Sequence, residues 1–307
     1  MEKYKNTFSK IAFGLITIMV VQNIFSIFLY KFKGFIPQNI LEIDWIPLVL
    51  YLIIQYLIAY PFGLLVINTA PNSPITKPLK KIDLNLKQII ATALSGFAIV
   101  SSITAVGNLV TILLKKILQR GLNSNPISDL ILDSNPYIMF FVAVILAPII
   151  EEYIFRYFLY KKTSVFGDRI YILFSSLIFG MFHLNILQSL YAFVLGLILS
   201  SLYLYTGNIK YPIIIHLIIN LLGGGISILT LALNNNIISY IWAILSFILI
   251  VIGLFLLLTW FIPKFRNIQF SKGEIELENI NAIILNPGMM IFSIIVIVTM
   301  INIFFTT

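Results

Sequence analysis

The sequence predicts an all-α protein, a polytopic transmembrane helical bundle with about eight or nine spans. The first observation is composition: of 307 residues, 60% are hydrophobic and only 10% are charged. A soluble domain is about half apolar and about a quarter charged, because charged side chains help to cover its surface. The composition therefore excludes a soluble enzyme, a disordered chain and an ordinary nucleic-acid-binding protein.

The second observation is a row of continuous apolar runs, each near the roughly 20 residues that a helix needs to cross a bilayer. A β-barrel is excluded because these runs do not alternate between apolar and polar residues. The fifth and sixth runs almost touch, which predicts a tight helical hairpin. An Asn-Pro-Gly sequence at 286–288 interrupts the start of the last run. The nine candidate spans are 11–30, 45–66, 89–114, 137–160, 170–187, 189–205, 212–233, 238–262 and 283–305.

The distribution of Lys and Arg predicts the orientation in the membrane. With the N-terminus in the cytoplasm, 14 basic residues lie on the inner side, 5 on the outer side, and Arg156 lies within a span. We therefore expect a multi-pass protein with its N-terminus inside and its C-terminus outside. The chain is rich in Ile, Leu, Lys and Asn, a composition typical of AT-rich bacterial genomes, which indicates a bacterial plasma membrane. Its organisation is predicted as N-terminal helices (1–136), a central core of four helices (137–233) and C-terminal helices (234–307).

The fourth run contains two adjacent carboxylates, Glu151 and Glu152, where an unpaired charge costs several kcal/mol. Adjacent helical residues point about 100° apart, so the two carboxylates cannot face the same neighbour. Glu152 and Arg156 are four residues apart and can pair on one face, which leaves Glu151 facing elsewhere. Pro148 removes a backbone hydrogen bond just before the pair and predicts a kink. A buried ion pair that only fixes helix packing is the alternative interpretation.

The only two histidines of the chain, His183 and His216, also lie in predicted spans. Asn220 follows His216 by four residues and therefore shares its helix face. Glycines near these residues, Gly180 and the run 223–225, are expected to allow close helix approach. With no cysteine in the chain, a thiol nucleophile, a cysteine-ligated zinc ion and a disulfide are excluded.

This set of side chains suits the activation of water. A carboxylate and an imidazole can deprotonate water for attack on a carbonyl group, and a second imidazole and an amide can stabilise the oxyanion. The same residues could instead hold zinc through two histidines and a glutamate. Spacing does not separate these two mechanisms, because the residues lie on three helices and no HExxH sequence is present.

In order along the chain, Glu151-Glu152-x-x-x-Arg156, Phe179-x-x-x-His183 and His216-x-x-x-Asn220 resemble the motifs of the CPBP family. This is the family of CAAX proteases and bacteriocin-processing enzymes, also called Abi. The resemblance covers about 137–233 and implies that these four helices are the catalytic core. It implies a type II CAAX protease-like intramembrane glutamate endopeptidase without a metal or other cofactor. It further implies that Glu151 is the general base, that His183 helps to orient the water and that His216 and Asn220 form the oxyanion site. Glu152, Arg156 and Phe179 are then supporting residues.

The resemblance implies a membrane-associated peptide or protein substrate within the lipid bilayer, such as a bacteriocin or signal peptide precursor, or a role in self-immunity. Nucleic acid is not an expected partner, and the sequence leaves the oligomeric state open. A non-catalytic membrane scaffold or immunity protein is the main alternative. The others are a zinc-dependent intramembrane metalloprotease and a transporter that couples protons through Glu151. The transporter is disfavoured because the chain shows no internal repeat.

Overall fold

The computed structural model describes residues 2–32, 45–73, 81–118, 121, 135–266 and 281–305. Helices connected by short irregular segments make up these ranges, which contain no strand, and this confirms the predicted fold class. The helices are α1 (Glu2–Phe32), α2 (46–68), α3 (Leu86–Leu118), α4 (Pro136–Phe166), α5 (Asp168–Met181), α6 (Ile186–Thr206), α7 (Lys210–Ala232), α8 (236–266), α9 (Asn281–Ile284) and α10 (Pro287–Phe305).

Within the described ranges, eight helices are long and apolar enough to cross a membrane, and α5 and α9 are not among them. The protein is thus a multi-pass membrane protein, and the fifth predicted run is not a complete span. With 14 residues, α5 is about 21 Å long, whereas the hydrocarbon core is about 30 Å thick. It pairs with α6 as the predicted hairpin. A Cβ atom at Gly180 would lie 2.7 Å from the Ser189 carbonyl oxygen, so glycine is needed for this close approach.

Helices α4 and α7 contain π-helical turns, called wide turns below, in which each backbone hydrogen bond joins residues five positions apart instead of four. In α4, Phe141–Leu146 and Tyr153–Phe158 are wide, and Ala147–Glu152 between them is regular. The first wide turn ends just before Pro148, which has no N–H to donate to the preceding turn. In α7 the wide turn is Leu221–Gly225. The irregular segments therefore flank the glutamate pair and directly follow Asn220.

The chain divides into two compact units, and the first contains α1, α2, α9 and most of α10. In this unit α1 packs against α2, and the Gly288 amide at the start of α10 donates to the Ser9 hydroxyl at 2.9 Å. The Asn-Pro-Gly sequence begins α10 and does not disrupt it. The Asn286 side chain accepts the Met289 amide at 3.0 Å, as an N-terminal cap does.

The second unit contains helices α3 to α8 and includes the whole of the predicted catalytic core, 137–233. Its centre is an apolar cluster to which α3, α6 and α7 contribute. Close packing of these side chains fixes the spacing of the three helices. The buried members are Ala93, Phe97, Leu195, Leu199, Leu202, Tyr211, Ile215 and Ile219.

A polar contact at one end of the second unit ties the start of α7 to the segment before α3. The Asp83 carboxylate accepts hydrogen bonds from the Tyr211 hydroxyl at 2.6 Å and the Lys210 ammonium at 3.0 Å. These two donors, the tyrosine first, lower the pKa of Asp83 below its ordinary value. The Tyr211 hydroxyl in turn accepts the Leu84 amide at 2.9 Å. The contact positions the first turn of the helix that carries His216 and Asn220.

Candidate active site

The two adjacent glutamates of α4 occupy different environments. The Glu152 side chain is fully buried, whereas that of Glu151 is 20% exposed. This difference follows from the regular helical geometry of Ala147–Glu152, which turns neighbouring side chains about 100° apart. Glu151 is therefore the carboxylate that a water molecule or a substrate can reach, and Glu152 belongs to the interior.

Glu152 forms the predicted pair with Arg156. The Arg156 Nε atom lies 3.0 Å from Glu152 Oε2, and both side chains are fully buried. The other carboxylate oxygen, Oε1, lies 3.0 Å from Nδ1 of His216 on α7. Because an ionised carboxylate only accepts hydrogen bonds, Nδ1 carries the proton in this contact. One buried carboxylate thus joins a cation of its own helix to a histidine of another.

The guanidinium group of Arg156 is held by side chains from α5. Nη1 donates to the Ser175 hydroxyl at 3.2 Å, and the guanidinium carbon lies 4.6 Å from the centroid of the Phe179 ring. Ser200 of α6 donates to Ser175 at 3.3 Å. Ser175 and Ser200 were not among the candidate residues identified from the sequence. A serine in an apolar run can either pack helices or take part in a hydrogen-bond network, and the sequence alone does not distinguish the two roles.

His216 lies between the two glutamates. Its Nδ1 atom faces Glu152, and its Nε2 atom lies 3.8 Å from Glu151 Oε2. The side chain of His216 is 3% exposed, so its orientation is set by protein contacts. These distances bring Glu151 and His216 together, as the motif positions predicted. They also show a contact that was not predicted, between His216 and Glu152.

His183 does not lie within a span. Helix α5 ends at Met181, and His183 is in the turn that leads to α6. Its Nδ1 atom lies 2.7 Å from the carbonyl oxygen of Phe179. Since a carbonyl oxygen accepts, Nδ1 carries the proton, and Nε2 of the neutral ring is then an acceptor. The ring of Phe179 contacts both His183 and His216, so His183 belongs to the same cluster.

Phe179 connects the parts of this cluster. Its buried ring makes edge-to-face contacts with His183, at 4.9 Å between centroids, and with His216, at 5.9 Å. The same ring faces the Arg156 guanidinium group. This phenylalanine therefore restrains both imidazoles and the cation without contributing a polar group.

Asn220 lies one turn beyond His216 on α7. Its side-chain amide donates to the carbonyl oxygen of Ala143 at 2.9 Å, in the first wide turn of α4. An amide NH₂ group has two N–H donors, so one remains for another acceptor. The glycines beyond Asn220 were expected to allow close helix approach. Gly225 packs against Val144 of α4, whereas no atom lies within 4 Å of a Cβ position at Gly223 or Gly224. The expectation of close packing was therefore wrong for these two.

Within the ranges that the structure describes, no three His, Asp or Glu side chains are grouped so that they could hold a metal ion. The carboxylate of Glu152 is already bound by Arg156 and His216. The donor set therefore does not fit the zinc site that spacing alone had left open.

Comparisons with known proteins match the part of the chain that carries these residues. Residues 133–222 match the type II CAAX prenyl endopeptidase Rce1-like family. The chain is 30% identical over 217 residues to the membrane-embedded CAAX protease MroQ of Staphylococcus aureus, an alignment that covers 64% of this chain and 85% of MroQ. It is 29% identical over 175 residues to YdiL of Bacillus subtilis, whose name describes a membrane peptidase, covering 56% of this chain and 68% of YdiL. No solved structure matches.

The matched segment contains Glu151, His183, His216 and Asn220, and the relatives are bacterial membrane proteins. The family and the multi-pass fold together identify an intramembrane protease. This chain belongs to the Rce1-like family of type II CAAX endopeptidases, the CAAX protease branch that its sequence motifs resemble.

Proposed function

We propose that this protein is a glutamate-dependent intramembrane endopeptidase in which Glu151 is the general base. The observation that carries the proposal is the position of Glu151. It is the exposed member of the glutamate pair, and its carboxylate lies 3.8 Å from a histidine whose other nitrogen is held by the buried member. A carboxylate in this setting can take a proton from water while its neighbours stay fixed.

The proposed role of His216 as an oxyanion donor requires a proton on both of its ring nitrogens, because the Nδ1–H group already donates to Glu152. The Nε2–H group of His216 would then be a hydrogen-bond donor that faces the reacting atoms.

The reaction follows from these roles. Glu151, with the Nε2 acceptor of His183, would deprotonate the water, whose oxygen forms a bond to the carbonyl carbon of the scissile peptide. His216 Nε2–H and the free N–H of Asn220 would stabilise the oxyanion. Collapse of the intermediate breaks the C–N bond, and Glu151 returns the proton to the departing nitrogen. Glu152, Arg156 and Phe179 would act as supporting residues that hold His216.

We further propose that the substrate is a membrane-associated peptide or protein precursor, such as a bacteriocin or signalling peptide. Membership of a membrane-embedded protease family supports this substrate class. The basic residues favour a cytoplasmic N-terminus in a bacterial plasma membrane. We propose residues 137–233 as the catalytic core, because every candidate site residue lies within them.

The test compares the protein N-termini of cells that produce the wild type, Glu151→Gln or Asp168→Asn. Asp168 begins α5 and lies at the opposite end of this helix from His183, so its variant is a control for loss of a carboxylate. We expect new peptide N-termini with the wild type and the control and none with Glu151→Gln, at equal protein levels. Identical N-termini from the wild type and a stable Glu151→Gln protein would refute the proposal.

A further inference from the structure

Two adjacent serines of α5, Ser175 and Ser176, are both fully buried but make different contacts. Ser176 donates to the carbonyl oxygen of Ile172 in its own helix at 2.6 Å, and its backbone packs closely against Gly196 of α6. Ser175 instead donates to the carbonyl oxygen of Phe155 on α4 at 2.5 Å. Neighbouring residues of a regular helix point about 100° apart, so Ser175 is the serine that faces α4.

The hydroxyl group of Ser175 uses its full hydrogen-bonding capacity. A serine hydroxyl has one proton to donate and two lone pairs that accept. The proton goes to Phe155, and the oxygen accepts from Nη1 of Arg156 at 3.2 Å and from the Ser200 hydroxyl at 3.3 Å. Three neighbours on two other helices therefore fix the orientation of this hydroxyl, which a serine that only fills space between helices does not require.

Ser175 meets α4 at the wide turn Tyr153–Phe158, which contains Arg156. Turns of this kind occur frequently at functional sites. Tyr171, one turn before Ser175 on α5, donates to the carbonyl oxygen of Arg156 at 3.2 Å, and Ser175 donates to that of Phe155. Two hydroxyl groups of α5 thus support the irregular backbone of α4, and Ser175 is the one that also reaches the guanidinium group.

The hydrogen bond from Arg156 to Ser175 orients the guanidinium group. Nη2 of Arg156 is buried and has no hydrogen-bond partner among the residues that the structure describes. Nε lies 3.0 Å from Oε2 of Glu152, but these two atoms are not aligned as a hydrogen bond. Attraction between opposite charges depends little on direction, whereas a hydrogen bond requires alignment. The Nη1 contact with Ser175 therefore sets the direction of the guanidinium plane.

We propose that Ser175 is a positioning residue for His216. Its hydroxyl orients Arg156, which holds Oε2 of Glu152. The other carboxylate oxygen, Oε1, accepts the Nδ1–H group of His216 at 3.0 Å. A displaced guanidinium group lets the carboxylate turn, and Nε2 of His216 then no longer faces the reacting atoms. The catalytic use of His216 rests on the proposed function, whereas the setting of its ring can be measured without any proteolytic assay.

The measurement is ¹⁵N magnetic resonance of the histidine side chains, with full-length protein in lipid bilayers. His183 and His216 are the only histidines of the chain, so labelling with ¹⁵N-histidine gives two imidazole signal sets, and His183→Gln assigns them. The resonance of a ring nitrogen depends on its hydrogen bond. In Ser175→Ala we expect the Nδ1 resonance of His216 to move, because its hydrogen bond to Glu152 becomes longer or less aligned.

Ser176→Ala is the matched control, because it removes an equally buried hydroxyl whose hydrogen bond stays within α5. It should leave the His216 resonances at their wild-type positions. Ser175→Cys is the second variant in case Ser175→Ala does not fold, since it keeps a side chain of similar shape but sulfur is a weak acceptor. Unchanged His216 resonances in either folded Ser175 variant, or an equal change in Ser176→Ala, would overturn the inference.

Cleavage of the peptide substrate found in the N-terminus comparison gives the second readout. Ser175→Ala should lower kcat about tenfold, the scale of one hydrogen bond to a charged group, with little change in KM, because His216 acts in the transition state. Ser176→Ala should keep both wild-type values. Cleavage by Glu151→Gln would refute the proposed function alone. An inactive Glu151→Gln together with unchanged His216 resonances in Ser175→Ala would refute only the role of Ser175.

Discussion

Nδ1 of His216 lies 3.0 Å from Oε1 of Glu152, which connects the last of the three motifs to the first. This contact gives the two adjacent glutamates different roles. The buried carboxylate holds the imidazole and the Arg156 guanidinium group, and the exposed carboxylate of Glu151 remains available for chemistry. The hydrogen bond also determines which nitrogen of His216 faces Glu151.

The two glutamates should respond differently to the same substitution. Glu151→Gln should abolish peptide cleavage and leave folding and expression unchanged, because it removes the base from a partly exposed position. Glu152→Gln should destabilise the protein by roughly 3–5 kcal/mol, the scale for breaking a buried pair, because it leaves Arg156 without its counter-ion. Thermal unfolding in detergent and cleavage rates test both. Cleavage by Glu151→Gln at the wild-type rate would contradict the assignment.

Asn220→Ala should lower the cleavage rate by about 10²–10³, the usual effect of removing one oxyanion donor. Substrate affinity should stay nearly unchanged, because the lost interaction strengthens only in the transition state. Asn220 also donates to Ala143, so stability has to be measured in parallel. A rise in KM at constant kcat would instead assign Asn220 to substrate binding.

Metal content separates the water-activation mechanism from the zinc mechanism. We expect no stoichiometric zinc in the purified protein and full activity after chelation. The physical reason is that Asn220 is a poor zinc ligand and that no three His, Asp or Glu side chains of the described residues are grouped so that they could hold one ion. Elemental analysis supplies the measurement. One zinc ion per chain, lost together with activity in His183→Ala and His216→Ala, would establish the metalloprotease mechanism.

The two ends of α3 test the orientation in the membrane. Lys87 and Lys115 are exposed near opposite ends of this helix, and the chain has no native cysteine to interfere. In intact cells, a membrane-impermeant thiol reagent should label Lys115→Cys. Lys87→Cys should react only after the cells are permeabilised. Labelling of Lys87→Cys from outside would reverse the predicted topology.

The glycines after Asn220 should differ in their tolerance of a methyl group. A Cβ atom at Gly225 would lie 2.6 Å from Val144 Cγ2, whereas one at Gly223 would meet no atom within 4 Å. Gly225→Ala should therefore destabilise the protein by about 1–3 kcal/mol, the usual cost of overpacking, and Gly223→Ala should not. Thermal unfolding measures the difference. Equal stability of the two variants would contradict the close contact between α7 and α4.

Much of the architecture follows from the sequence because a bilayer restricts the choices. A run of about 20 apolar residues has to satisfy its backbone hydrogen bonds internally, so it forms a helix. Charges in such runs are costly, which singled out Glu151, Glu152 and Arg156 before any contact was known. The pairing of Glu152 with Arg156 was predictable as well, since four residues separate them on one helix.

The assembly of the site depended on contacts that sequence spacing does not specify. His183 was expected inside a span, but α5 ends at Met181 and leaves His183 in the turn before α6. The contact of His216 with Glu152 joins residues that are 64 positions apart in the sequence. Local periodicity determined which polar side chains share a helix face, and only helix packing decided which faces meet, because that depends on shape complementarity between distant segments.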